Sequence, residues 1–156
     1  MELRELRKEK NLTQKQCAEY LGIPLRTYVR YEADKSKRQT IKYRYIAEKI
    51  EMYGTVDENH GILSISEIQR ICEQVFSAYP IEFCYLFGSY ASATATENSD
   101  IDLLVCTAVT GLQFYELVET LRTNLKKKVD VLDTRQLENN SALTNEILKS
   151  GIKIYG

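Results

Sequence analysis

The sequence predicts two small domains, an all-α domain of helix-turn-helix type followed by an α/β domain with a small mixed sheet. Three observations carry that prediction. The charge is divided: residues 1–56 hold 13 Lys/Arg against 8 Asp/Glu, a net +5, whereas residues 61–156 hold 8 against 12, a net −4. The front shows helical periodicities broken by Gly and Pro. The back alternates apolar runs of strand length with helical periodicities. Both patterns lapse in "YGTVDENHGILS", so the boundaries fall at 1–56, a linker at 57–63, and 64–156.

The 156 residues are 44% hydrophobic and 28% charged, a globular composition that argues against disorder. No apolar run approaches the roughly 20 residues that span a bilayer. The charged start "MELRELRKEKNLTQ" lacks the apolar core of a secretion signal. No membrane partner is expected, and the expected compartment is the cytoplasm. Cys17, Cys72, Cys84 and Cys106 form no Cys-x-x-Cys pair and sit in apolar contexts, as free buried thiols do. The single histidine, His60, falls in the linker, where a solvated side chain is expected rather than a metal ligand.

In the front domain, Leu3 and Leu6 open a short helix. Thr13 is the right residue to cap a second one, with Gln16 three positions on to complete a capping box. Cys17, Ala18 and Leu21 follow at helical spacing, and Gly22 ends the helix. Pro24 stands near the start of a third helix, with Tyr28 and Val29 expected to face inward, Leu25 or Glu32 a turn away, and Arg26, Thr27 and Arg30 outward. Ile41, Tyr45, Ile46, Lys49 and Ile50 mark one or two further helices. A helix, a turn with Gly and a second helix exposing Arg and Thr form a helix-turn-helix pattern.

The segment "LRKEKNLTQKQCAEYLGIPLRTYVRYE", with the basic loop after it, resembles the lambda-repressor/Cro-like family of DNA-binding domains. That resemblance implies that Arg26, Thr27 and Arg30 reach into a major groove of double-stranded operator DNA. It also implies that Gln14, Lys15, Lys35, Lys37 and Arg38 contact phosphates. Where the family usually carries Asn-Gly, this chain has Ala33-Asp34, and Asp34 is expected to take the left-handed turn. The alternative is a helical module that docks protein, its charges solvated.

In the back domain, "SISEIQRICEQVFSAY" reads as a helix stopped by Pro80, with Ile65, Ile68, Cys72, Val75, Phe76 and Tyr79 inward. "IEFCYLF" is a strand, followed by Gly88-Ser89 and a run of small polar residues to Ser99. "DIDLLVC" is a second strand. "LQFYELVETLRTNLKKK" is an amphipathic helix whose basic end, Lys126 to Lys128, suits the C-terminal dipole. "VDVLD" is a third strand, "ALTNEILKSG" a last helix and "IKIY" a closing strand.

Side chains two apart on a strand share a face. Asp100 and Asp102 therefore point one way while Ile101 and Leu103 point to the core. Asp130, between Val129 and Val131, joins them if the third strand pairs with the second. Three convergent carboxylates are a ligand set for one or two hard divalent cations such as Mg²⁺, which completes its octahedron with waters and substrate phosphates. Gly88 and Ser89 would offer N–H groups and a hydroxyl to those phosphates. Asp133 competes as third carboxylate, but its place at the strand end favours a turn or cap role. The alternative for the aspartates is a capped strand start in a non-catalytic domain.

Gly-Ser, ten residues, then Asp-x-Asp (Gly88-Ser89 and Asp100-Ile101-Asp102) resembles the DNA polymerase beta nucleotidyltransferase superfamily, closest to its minimal nucleotidyltransferase branch. The branch commonly follows Gly-Ser-x with Ala-Arg-Gly; here Ala91-Ser92-Ala93 stand instead, without the cation. Members of the branch are often antitoxin partners of helical HEPN-type toxins, similar to enzymes that transfer AMP from ATP to a tyrosine of the toxin. The resemblance thus implies an ATP- or NTP-using, Mg²⁺-dependent adenylyltransferase with Asp100, Asp102 and Asp130 catalytic and metal-binding. It implies a HEPN-type toxin partner, operator binding for transcription autoregulation, and a homodimer or toxin-bridged assembly. A transcriptional regulator with a weak or inactive nucleotide-sensing or toxin-binding domain is the second reading, favoured by the missing Arg. A small-molecule nucleotidyltransferase ranks third, because no extra domain is present to hold such a substrate.

Overall fold

The computed structural model describes all 156 residues, which form two compact units, Met1–Thr55 and Val56–Gly156. No helix is long and apolar enough to cross a membrane. All four cysteines are free; Cys17, Cys72 and Cys84 are buried and Cys106 is half-buried.

The first unit holds α1 (Leu3–Glu9), α2 (Gln14–Leu21), α3 (Leu25–Ala33) and α4 (Ile41–Glu51), with a 3-10 turn at Lys35–Lys37. The Thr13 hydroxyl accepts from the Gln16 N–H at 3.1 Å, and the Gln16 side chain accepts from the Thr13 N–H at 2.8 Å, closing the capping box. Gly22 is left-handed (φ 66°) and ends α2. Thr13→Ala removes one half of this reciprocal cap, with an expected loss of about 1 kcal/mol read by thermal or urea unfolding.

Leu3, Leu6, Cys17, Ala18, Tyr28, Tyr31, Tyr43, Ile46 and Ile50 build the core of this unit. Three expectations are corrected. Val29 is 36% exposed while Tyr31 is buried, because from Tyr28 the inward stripe of a helix continues at i+3 and i+4, to Tyr31 and Glu32. Of the residues that marked α4, Ile46 and Ile50 are buried but Ile41 and Tyr45 are exposed, and Tyr43, not singled out from the spacing, faces inward. Asp34 is extended (φ −89°), not left-handed; its carboxylate caps the 3-10 turn by accepting from the Ser36 N–H (2.9 Å) and hydroxyl (2.6 Å). The Glu32 carboxylate, only 1% exposed, accepts from Arg7 at 2.9 and 3.0 Å. Burial pushes its carboxyl up, but the hydrogen bonds and charge of Arg7 outweigh that and hold it below the usual range.

The second unit holds α5 (Ile65–Phe76), β1 (Ile81–Phe87), α6 (Gly88–Ala91), β2 (Ile101–Thr107), α7 (Gly111–Leu125), β3 (Val129–Asp133), a 3-10 turn (Thr134–Leu137), α8 (Ser141–Ser150) and β4 (Ile152–Tyr155). The strands form one mixed sheet in the order β3-β2-β1-β4. β1 pairs antiparallel with both β2 and β4, and β2 pairs parallel with β3. One sheet face buries Cys84, Leu86, Ile101, Leu103 and Val105 with Ile68, Cys72 and Phe76 of α5 and Leu117 and Leu121 of α7. The other face carries a small cluster, Phe87 and Leu104 with Ile147 of α8. Asp102 lies on this second face.

Residues 57–63 belong to this unit. Asp57 and His60 form an isolated bridge, the His60 Nδ1 stands 2.8 Å from the Asp57 carboxylate, and Leu63 enters the core. His60 is thus partnered and half-buried rather than solvated. The basic end of α7 also differs from expectation. The helix stops at Leu125, Lys126 turns left-handed (φ 58°), and Lys127 is fully buried. The chain leaves the helix before the three lysines can serve its dipole together.

Candidate functional site

β1 delivers the chain to Gly88, where φ is +71°. A side chain there is excluded twice over. The left-handed conformation disfavours a Cβ, and a Cβ would overlap the Oδ2 of Asp102 and stand 3.0 Å from its Cγ. Gly88 therefore lies directly against the Asp102 carboxylate. Asp102 sits opposite Phe87 on one side and Asp130 on the other. Its neighbours Ile101 and Leu103 are fully buried in the core, which fixes Asp102 on the far face. The parallel register that places Asp130 beside it depends on β3 pairing with β2, and that pairing is present.

Asp102 is half-buried and its carboxyl is pushed up to about 6, first by burial and then by the negative charges of Asp130, Asp100 and Glu146. None of the six ion pairs of the chain involves Asp100, Asp102 or Asp130. Asp102 and Asp130 are register partners, whereas Asp100 stands just ahead of β2, which begins at Ile101, so the strand face expected to carry Asp100 with Asp102 does not extend to it and the three carboxylates form no closed three-ligand cluster; Asp100 and Asp130 are exposed, and the like charges repel. A divalent cation is the chemical complement of this arrangement. The donors are hard oxygens, the protein offers no cation of its own, and the glycine keeps open the approach to Asp102.

Ser89 is half-buried on α6, and its carbonyl accepts from the Thr94 N–H at 2.9 Å. Ser92, where an Arg was expected from the resemblance, turns its hydroxyl inward to the Gly88 carbonyl (3.1 Å) and to Thr94 (3.0 Å). The segment from Gly88 to Ser99 contains no basic side chain. Asp133 takes the cap role: it accepts from the Arg135 N–H at 2.9 Å and pairs with the Arg135 guanidinium at the far end of β3. Glu146 of α8 is a contributor to the site's field that no spacing in the sequence disclosed, because α8 reaches this face only through the tertiary fold.

In the first unit, Arg26 and Arg30 are exposed on α3, four residues apart and so on one helix face. Thr27 and Gln14 are half-buried; Lys15 and Lys35 are exposed. Lys37 lies with its ammonium 5.6 Å from the Tyr31 ring, and Lys42, not singled out from the sequence, lies 5.4 Å from the same ring. Arg38 is paired with Glu2 at 2.6 Å. Both α3 arginines are free of ion pairs, whereas Lys37 and Arg38 are already engaged.

Residues 67–156 match the family described as polymerase beta, nucleotidyltransferase, and residues 3–42 match a helix-turn-helix family. The chain is 33% identical over 78 residues to the protein adenylyltransferase MntA of Shewanella oneidensis, covering 49% of this chain and 55% of that protein. It therefore spans only about half the length of this relative. It is 32% identical over 84 residues to a Methanocaldococcus jannaschii protein provisionally named a protein adenylyltransferase, covering 49% of this chain and 84% of that one. Among solved structures, a toxin–antitoxin complex with AMP-PNP aligns over 56% of this chain and 73% of its own, at 27% identity and a TM-score of 0.50. A structure provisionally described as a minimal nucleotidyltransferase aligns over 60% and 98%, at 26% identity and a TM-score of 0.50. A glycine without room for a side chain against the first of two register-paired aspartates, on a sheet matched from α5 to the last residue, places this chain in the polymerase beta nucleotidyltransferase family, with a helix-turn-helix unit ahead of it.

Proposed function

We propose that this protein is an antitoxin-type adenylyltransferase that moves AMP from ATP to a tyrosine hydroxyl of a HEPN-type toxin in the cytoplasm, and that its helix-turn-helix unit binds operator DNA. The observation that carries the reading is the contact of Gly88 with Asp102 beside Asp130. The adenylyltransferase name of one relative and the toxin–antitoxin assembly of one structural neighbour support the choice of acceptor.

Mg²⁺, one or two ions held by Asp100, Asp102 and Asp130, would supply charge neutralisation for the triphosphate and the departing pyrophosphate. The backbone N–H groups at Gly88 and Ser89 and the Ser89 hydroxyl bind the β- and γ-phosphate oxygens. Asp130, exposed at the open side of the pair, stands where it can accept the proton of the attacking tyrosine hydroxyl. The oxygen of that hydroxyl bonds to the α-phosphorus as the bond to the pyrophosphate breaks. The direct test is labelling of a cognate HEPN-type toxin with α-labelled ATP and Mg²⁺. Label that appears without this protein, or fails to appear with it, overturns the reading.

The second reading, a regulator whose back unit only senses nucleotide or binds toxin, is favoured by one observation: Ser92 bonds inward and no cation replaces it between Gly88 and Ser99. ATP binding without labelling would select it.

Operator binding by one small basic unit makes few phosphate contacts, so a homodimer or toxin-bridged assembly is proposed, on an inverted repeat with half-sites about 34 Å apart. Arg26→Ala and Arg30→Ala are expected to relax base preference, each by about 1–3 kcal/mol if the side chain pairs with a guanine. Lys37→Ala and Arg38→Ala should weaken all sequences alike and flatten the salt dependence. Fluorescence titration of upstream and random duplex at two salt concentrations separates the two effects.

A further inference from the structure

Lys127 is the one lysine of the chain that is fully buried. Its ammonium donates to two main-chain carbonyls, Glu97 at 2.7 Å and His60 at 3.1 Å, and it forms no ion pair. An unpaired buried ammonium is costly, so its position calls for a reason. The helix dipole is not one: α7 has ended and Lys126 has already turned left-handed.

The carbonyl of Glu97 belongs to the ten-residue loop that runs from the Gly-Ser turn into Asp100 and Asp102. The first part of that loop folds back on the turn. Thr94 N–H donates to the Ser89 carbonyl (2.9 Å), the Ser92 hydroxyl donates to the Gly88 carbonyl (3.1 Å), and Ala93 is left-handed. The second part is a tight turn closed on itself, with Thr96 N–H donating to the Ser99 hydroxyl (2.8 Å) and Ser99 N–H to the Thr96 carbonyl (3.1 Å). Its polar anchors outside the loop both meet at Glu97. Lys127 takes the carbonyl, and the carboxylate accepts from the Gly61 N–H at 3.2 Å. Lys127 thus ties the loop to the Asp57–His60 turn through one ammonium. It stands three residues before Asp130, and the next residue, Lys128, accepts the Ile101 N–H at 2.9 Å.

We propose that Lys127 is a positioning residue for the transferase site: its ammonium fixes the loop that leads into Asp100 and the β2 residue Asp102 against the segment that enters the strand of Asp130. This rests on the transferase reading above and adds to it a residue that touches neither metal nor nucleotide. A lysine suits the task because its flexible stem reaches from the start of β3 and its head offers three donors to carbonyls of two separate segments. An apolar side chain of the same length would fill the space and leave the Glu97 carbonyl unpartnered, whereas the His60 carbonyl would still accept from the Asp57 N–H at 3.0 Å.

The test compares the full-length wild type with Lys127→Met, and uses Leu121→Ala as a control that loosens the buried core without touching the loop. Two quantities are read: amide hydrogen exchange across residues 92–99, and Mn²⁺–ATP affinity by calorimetry. The expected result for Lys127→Met is faster exchange in that loop with β1 and β2 unaffected, and Mn²⁺–ATP affinity lowered about 10–100-fold, as for other residues that orient metal ligands indirectly. Leu121→Ala should lower the unfolding temperature and leave the affinity near that of the wild type. Unchanged loop exchange in Lys127→Met overturns the proposal. So does faster exchange with unchanged affinity, which would make Lys127 structural only. A wild type that binds no Mn²⁺–ATP removes the transferase reading itself, and is told apart because it fails before any substitution is made. Should Lys127→Met not fold, Lys127→Gln is scored the same way. The wild-type ammonium signal in side-chain NMR then adds a check: a Lys127 resonance in fast exchange like those of the exposed lysines overturns the proposal.

Discussion

Asp102→Asn should abolish nucleotide transfer while leaving the fold intact. The expected loss is about three orders of magnitude or more, the rate equivalent of the several kcal/mol that a bound divalent cation contributes. Asn keeps the shape of the side chain and its place against Gly88, and drops the charge. Asp100→Asn should act in the same direction. The apo protein should respond in the opposite sense. Burial and then the charges of Asp130, Asp100 and Glu146 push the Asp102 carboxyl up to about 6, above its ordinary value. The folded protein therefore keeps a proton that the unfolded chain releases above about pH 4. Stability is lost as pH rises from that value through 6, and the penalty stays in place above it. Asp102→Asn lacks this penalty, so its unfolding temperature should exceed that of the wild type at pH 8 and converge with it near pH 4. Added Mg²⁺ should stabilise the wild type at pH 8 and not at pH 4, and should leave the variant unmoved. Thermal unfolding at two pH values, with and without Mg²⁺, measures all of these. Undiminished transfer by Asp102→Asn would end the enzyme reading. A wild type whose stability is flat between pH 4 and 7 would show that the carboxylates do not repel as described.

Local chemistry made much of this molecule legible in advance. The Thr13–Gln16 cap and the left-handed Gly22 are each decided within a few residues, so a short stretch of sequence contains the cause, whereas the helix expected to run to Pro80 already ends at Phe76. The two-residue period of a strand placed Asp102 opposite Ile101 and Leu103. What could not be read depended on which partner each face meets. On α3 the choice between Val29 and Tyr31 turns on where α1 and α4 lie, not on hydrophobicity, since both residues can be buried. At the end of α7 three consecutive lysines look alike. One becomes a left-handed cap and the next is buried because the loop before Asp100 presents carbonyls there. Glu146 lies far along the chain from Asp102, the aspartate it affects, and only the packing of α8 on the second sheet face brings its charge to bear.

Gly88→Val should be the other substitution that eliminates function, and for a different reason. The backbone at Gly88 is left-handed, where a Cβ costs about 1–2 kcal/mol for an ordinary residue and more for a β-branched one. The new Cβ would also overlap the Asp102 carboxylate. Either the Gly-Ser turn moves away from the strand or Asp102 swings out of register with Asp130, and each outcome separates the phosphate-binding groups from the carboxylates. Mg²⁺–ATP binding should fall below detection by calorimetry, with transfer lost in parallel. Gly88→Ala carries the same overlap with less strain elsewhere, and should show the same loss in weaker form. Ser89→Ala is the contrasting case. It removes one hydroxyl from a half-buried position and leaves the backbone N–H groups in place, so the expected cost is about 1–2 kcal/mol of ATP affinity for one hydrogen bond to a charged group. The order of the three variants is the discriminating result. If valine and alanine at 88 bind ATP as the wild type does, the nucleotide lies elsewhere on the molecule. If Ser89→Ala matches Gly88→Val, the hydroxyl rather than the close approach of the backbone governs phosphate binding. Loss at Gly88 with retention at Ser89 identifies the contact between a bare Cα and Asp102 as the feature on which the site is built.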